Sequence, residues 1–419
     1  MNIVNFLLSS AISLLAFRSF SIIFVWSIAT MEGENNSIAL GSIIALMWII
    51  NLVTLPLSGD LLDRNKKKKI LIISAIFSVI FINVYYIFFY HLQVSYLYLA
   101  LTASILATTN SIVTSSINST IPFLTNKEHY TKYIGIATSL NSVQAIVGAI
   151  LGGGGVAFLG SQLSIIVVSA FYTISLVFLL FVKIRDEKPD NSIHQNFIKR
   201  ASIGFKILFQ LKNEKITCYI AMVTNFILTP LMVVILPLYV ASNYNRIAPL
   251  AYFEVSFAIG MGLGALILSK IDFNTYTRLK PAIAGNMMIG LGIILFSIFE
   301  IIHLKLLSMM LSGFGLSLIV IATNSVRSFA VPDHFRARLE SAIFFLCVIT
   351  IPIGSQTFGY LIQTFGNDII NPLLLIMGVI VSFSSLAFFL SSHTKKMLLK
   401  SNAQLDQIYM KEYPKAFEG

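Results

Sequence analysis

The chain has 419 residues, 56% hydrophobic and 11% charged, with a mean hydropathy of +0.83 and a formal net charge of +11. A soluble domain carries about 25% charged residues, so the composition describes a polytopic membrane protein and excludes a cytosolic enzyme. The positive charges cluster at the ends of apolar runs and not along an aromatic-interleaved face, which argues against nucleic acid as a partner.

A bilayer crossing needs about 20 apolar residues, and twelve candidate spans follow in chain order. They are Ile3–Thr30, Ser37–Leu62, Ile70–Tyr90, Tyr96–Leu124, Tyr133–Leu159, Leu163–Val182, Ile216–Ala241, Leu250–Ser269, Ala282–Ile302, Leu304–Val331, Leu339–Phe365 and Pro372–Ser392. The first run lacks a basic leader and is long enough to span, so no cleavable signal peptide is expected. Cys218 and Cys347 fall in separate apolar runs with no metal-ligand spacing and no disulfide framework.

Charge sets the expected topology. Even-numbered spans lead into Arg64 to Lys69, Lys127 and Lys132, the central loop, Lys270 to Lys280, Arg336 and Arg338, and the tail from Lys395. The opposite loops carry only Arg246 and Lys305, which predicts that both termini are cytoplasmic. The loop from Lys183 to Lys215 divides the chain. The expected organisation is an N-terminal six-helix bundle (1–184), a cytoplasmic linker (185–215), a C-terminal six-helix bundle (216–393) and a cytoplasmic tail (394–419). Within the linker, Phe197 to Lys206 is moderately amphipathic and is expected to lie at the membrane interface.

The stretch Gly59-Asp60-Leu61-Leu62-Asp63-Arg64-Asn65, followed by four lysines, has its own logic. Gly59 lets another helix approach closely. Asp63, one turn on, can meet the positive N-terminal end of a neighbouring helix, and the basic run pins the turn to one side. The fourth span ends Ile121-Pro122 and the tenth Val331-Pro332, a weak internal repeat of two parallel halves. Such halves place a substrate path at their interface near the midplane.

Gly59, Asp63, Arg64 and the lysines resemble the loop-2/3 signature of the major facilitator superfamily, with Lys66 where the family pattern has Gly. The resemblance implies an all-α fold of twelve transmembrane helices in two pseudo-symmetric bundles, and secondary transport. Within the superfamily, Phe17-Arg18-Ser19-Phe20-Ser21, Gly262-Leu263-Gly264-Ala265 and Pro332 to Arg338 are similar to the drug/proton antiporter branch that includes macrolide efflux pumps and the enterobactin exporter. Gly148-Ala149-Ile150-Leu151-Gly152-Gly153-Gly154-Gly155 resembles the Gly-rich fifth-span motif of antiporters, without its usual Pro. These features imply proton-coupled export of a small amphipathic molecule; deep positive charge at Arg18 and Arg327, with few buried acids, puts a siderophore-like metabolite ahead of a macrolide-like drug. They imply a bacterial inner membrane as the location.

A charge inside the bilayer costs about 2.5–3.5 kcal/mol on insertion scales, so intramembrane ionisable residues are functional candidates. Arg18, deep in the first span, is the first: it can contact an anionic substrate group, pair with an acid, or simply bond helix carbonyls. Glu254, about a turn into the eighth span, is the candidate for proton coupling; alternatively it is a helix-start carboxylate facing water. Arg327 is placed where it can snorkel to the surface. Intramembrane amides are expected mainly as inter-helix glue, with Asn110, Asn141, Gln144 and Asn225 the first choices for lining a cavity. Gly59, Asp63, Arg64, Arg338, Gly148 and Gly152 are expected in gating, with Asp63 latching near Arg338 at the start of the eleventh span. The expected partners are lipid, a small-molecule substrate and protons, on a monomeric chain; no cofactor or metal is implied, and no phosphate loop is present for ATP. The competing readings are an uptake permease of the same fold and a non-transporting membrane receptor or scaffold.

Overall fold

The structure is a computed structural model; it describes residues 2–31, 36–64, 66–92, 95–125, 133, 136–137, 143–144, 146–184, 197–244 and 246–417. Side chains at 55–56, 59–61, 63–64, 118–119, 122, 197–201, 333–334 and 337 lie outside that description.

The described secondary structure is helical throughout. This is what a bilayer demands, since a helix satisfies its own backbone where no water can. Eleven described helices are long and apolar enough to cross a membrane. The count differs from twelve for a local reason. The expected fifth and sixth spans form one helical stretch, Ile146–Leu180, which turns at Gly160. At φ 78° and ψ 162° that residue occupies a region open essentially to glycine alone.

The first span (Asn2–Ala29), second (Asn36–Arg64), third (Lys67–Ile87) and fourth (Tyr96–Leu124) follow the expected order. Later come the seventh (Lys212–Tyr244), eighth (Ala248–Ser269), ninth (Leu279–Ile298), tenth (Ile302–Ala330), eleventh (Asp333–Phe365) and twelfth (Asn367–Leu390). Pro230 interrupts the seventh span, and a π turn, Leu231–Ile235, follows it. Proline has no N–H for the carbonyl four residues back, that of Phe226. The backbone of Gly354 in the eleventh span packs against that carbonyl so closely that a Cβ would collide with it.

The chain divides into two compact units. One comprises Met1–His194, Met232–Val255 and Ser355–Thr364, so it holds the later parts of the seventh and eleventh spans and the start of the eighth. Within it the second and eleventh spans meet through Gly41 and Gly359, and Ser42 donates to Gln356 at 2.9 Å.

The other unit comprises Gln195–Leu231, Ser256–Gly354 and Phe365–Gly419. Small residues let its helices approach: Gly285 against Gly315 joins the ninth and tenth spans, and Gly290 against Gly378 joins the ninth and twelfth. Asn286, fully buried, donates to Val381 O (2.9 Å) and Ser384 Oγ (2.6 Å) and accepts from Thr224 (3.2 Å), the glue expected of intramembrane amides. Lys305 is not the exposed loop charge the sequence implied. It is buried, donates to Phe296 O at 2.7 Å, and so caps the last turn of the ninth span. The linker helix runs Phe197–Gln210, and Gly204 packs against the carbonyl of Arg338.

Candidate functional site

The first, fifth and eighth spans converge on Arg18. Its side chain needs room and a partner, and the sequence supplies both. Gly148 offers the room: a Cβ there would lie 2.6 Å and 2.7 Å from Arg18 Cγ and Cβ. One turn on, Gly152 lies against the backbone of Ser19, and Ser19 Oγ donates to Gly148 O at 3.3 Å. Gly153 abuts Ala251, which brings in the first turn of the eighth span. Glu254, one turn after Ala251, is the partner: Arg18 Nη2 donates to Glu254 Oε2 at 2.7 Å.

The two ends of this pair differ. The Glu254 side chain is 2% exposed, whereas Arg18 keeps 33% of its side-chain surface open. A buried carboxylate stays ionised only while a cation and hydrogen bonds compensate it. Removing Arg18 by competition would therefore call for a proton on Glu254 or another donor in its place, and a proton on Glu254 would loosen Arg18. Two polar atoms of this unit are also uncompensated: Arg18 Nε and Gln144 Oε1 are buried without a hydrogen-bond partner among the described residues. Gln144 precedes Gly148 by one helical turn.

A second buried ion pair lies in the other unit. Arg327 Nε donates to Glu214 Oε2 at 3.1 Å, with side chains 9% and 1% exposed, and its Nη1 donates to Asn324 at 3.2 Å. Arg327 therefore does not snorkel to the surface. Tyr409 donates to Glu214 Oε1 at 2.7 Å and accepts from Asn213 at 2.6 Å. Burial first, and the Glu214 charge second, push the Tyr409 hydroxyl well above its ordinary range, so it remains a donor. Sequence reasoning passed over Glu214 because Lys212-Asn213-Glu214-Lys215 reads as a solvated loop end. The available signal was Arg327 itself, a cation in an apolar run without an acid nearby in sequence.

The remaining candidates separate. Asn141, the side chains of Asp63 and Arg64, and the packing of Gly59 lie outside what the structure describes. Asn110 is half-buried on the fourth span, in the same unit as Arg18, and Asn225 is half-buried in the other unit. The Arg338 guanidinium lies 5.6 Å from the centre of the Phe335 ring.

Residues 6–355 fit the profile of the Major Facilitator Superfamily. The chain belongs to that superfamily. It is a multi-pass membrane transporter. Solved structures of the same fold include the nucleoside transporter NupG, at 14% identity and a TM-score of 0.74 over 94% of this chain and all of that one. They also include a bacterial homologue of the human lysosomal transporter Spinster, inward-facing and unoccupied, at 13% identity and a TM-score of 0.72 over 94% and 97%. A D-xylose–proton symporter aligns at 14% identity and a TM-score of 0.70 over 96% and 100%. At these identities the likeness is one of fold. A search of curated proteins found no sequence match.

Proposed function

We propose that this transporter is a proton-coupled secondary exporter of a small amphipathic molecule bearing an acidic group, working by alternating access. The observation that carries the coupling is the 2.7 Å pair between Arg18 and buried Glu254. In this reading residues 1–184 and 216–393 are the two halves that rock, in the cytoplasmic membrane with both termini inside. Arg18 takes the acidic group of the substrate and ionised Glu254 takes a donor from it. A proton arriving at Glu254 removes that second contact, so proton and substrate exclude each other, as antiport requires. Asn110, Asn141, Gln144 and Asn225 line the path. Gly148 and Gly152 hold Arg18 in register, while Gly59, Asp63, Arg64 and Arg338 act in the gate away from the substrate. The resemblance to the drug/proton antiporter branch supports export, and the deep positive charge of Arg18 puts a siderophore-like metabolite ahead of a drug.

The same pair favours a second reading when the substrate is a simple anion. An anion that captures Arg18 strands Glu254 in an apolar setting, and a proton then joins the substrate on the protein. That is symport, the coupling of an uptake permease.

Proteoliposomes loaded with a pH-sensitive dye separate the two. A panel of hydroxamate and catechol siderophores, macrolides, nucleosides and organic acids is offered under an imposed pH gradient. Export predicts substrate and proton moving in opposite directions, and uptake predicts the same direction. Glu254→Gln is expected to abolish the pH dependence and retain substrate exchange. Gradient-driven transport that survives Glu254→Gln would remove Glu254 from the mechanism.

A further inference from the structure

The chain beyond the twelfth span forms a folded strap on the second unit. Its first helix, Ser392–Leu399, is capped by Ser391, whose side chain accepts from the backbone N–H of Thr394. The second, Asn402–Leu405, opens on a capping box of Ser401 and Gln404. Gln407 then adopts φ 48°, a left-handed turn, and the third helix, Ile408–Glu412, follows. Thr394, Leu398, Leu405, Tyr409 and Phe417 are all buried. A polar tail at a chain end is ordinarily poorly ordered unless something ties it down.

Three separate anchors do so, each on a different part of the unit. On the turn before the ninth span, Arg278 is fully buried; its Nη1 donates to Lys400 O at 2.8 Å and its Nη2 bonds the side chain of Asn402. Arg278 Nε donates to Ser325 of the tenth span at 2.8 Å, and its backbone N–H to Leu398 O at 3.0 Å. At the end of the tenth span, Phe329 O accepts from the N–H of Gln407 at 3.0 Å. This carbonyl is one of the last four of its helix, which have no partner within it. At the start of the seventh span, Tyr409 meets Glu214 and Asn213.

We propose that residues 392–417 act as a docked strap that binds the starts of the seventh and ninth spans and the end of the tenth into one body. In this strap Tyr409 holds the Glu214 carboxylate against Arg327. These ends belong to the side carrying the basic loops, and release of the strap frees them to separate. The device does not depend on the coupling assigned to Glu254, because none of its anchors touches that site.

The chain supplies its own reporter. Cys218, one turn after Glu214 on the seventh span, is buried, with its Sγ 3.9 Å from that of Cys347. In full-length protein in nanodiscs carrying Cys347→Ser, N-ethylmaleimide alkylation of Cys218 is measured beside amide hydrogen exchange of 392–417. The unsubstituted strap is expected to exchange slowly in all three helices. Tyr409→Phe and Arg278→Gln, made separately, are each expected to speed that exchange and raise Cys218 alkylation about ten-fold or more, as loss of a hydrogen bond to a charged group allows. Rapid exchange of 392–417 without either substitution would overturn the strap, with no variant required to fold. Unchanged Cys218 alkylation, despite faster tail exchange in both variants, would overturn its hold on the seventh span.

Discussion

The two ion pairs differ in exposure, and that difference sets what the loss of each is expected to cost. In the Glu214–Arg327 pair neither side chain exceeds 9% exposure. Glu214→Gln keeps the shape and still accepts from Tyr409, but removes the carboxylate hydrogen-bonded to buried Arg327, leaving the Asn324 hydrogen bond and the Glu340 charge. Breaking a buried pair by removing one charge costs about 3–5 kcal/mol. In the Arg18–Glu254 pair Arg18 keeps 33% of its side-chain surface exposed. After Glu254→Gln that guanidinium is partly solvated, so the cost moves toward the surface-pair range, about 1–2 kcal/mol. Denaturant unfolding in detergent, followed by a thiol-reactive dye on the buried Cys218 and Cys347, measures both. The expected order is a larger loss for Glu214→Gln than for Glu254→Gln. A double-mutant cycle of Arg18→Gln with Glu254→Gln should return a coupling within the smaller range. A Glu254→Gln loss equal to or larger than that of Glu214→Gln would refute the argument from exposure.

Four more predictions each rest on one residue. Gly148→Ala is expected to cost about 1–3 kcal/mol by overpacking against Arg18 and to lower transport sharply. Gly154→Ala, six residues on with nothing within 4 Å of its Cβ position, should be close to neutral in the same melts and flux assays. Gly160→Ala forces a side chain into a glycine-only backbone region and should lower stability by about 1–3 kcal/mol with membrane insertion unchanged, read by denaturant titration of the inserted protein. Asn286→Leu strips three hydrogen bonds from a buried helix junction; a loss of about 1–3 kcal/mol is expected, and a neutral result would show that the pocket rehydrates.

Much of this protein is legible along the chain because the bilayer is a one-dimensional filter. It demands runs of apolar residues, penalises charge within them and retains lysine and arginine on one side, and all three leave their mark without any knowledge of contacts. That is why the fold class and the superfamily could be read, and why Arg18 and Glu254 stood out one at a time. Their pairing could not, since 236 residues separate them and nothing local says which cation meets which acid. Glu214 escaped notice for the opposite reason: set among lysines it resembles a loop end, and burial depends on what folds over it. Tyr409 is one of 16 tyrosines, in a tail whose composition reads as solvated. Close approach of the second and eleventh spans was anticipated at Gly59 and Arg338, and the described contact between them runs through Gly41 and Gly359. Small residues permit such approach wherever they occur, and three-dimensional packing selects among them. Spans, charge bias and candidate charges thus follow from transfer energies summed along the chain. Partner, exposure and strap follow from long-range packing, which no local sum contains.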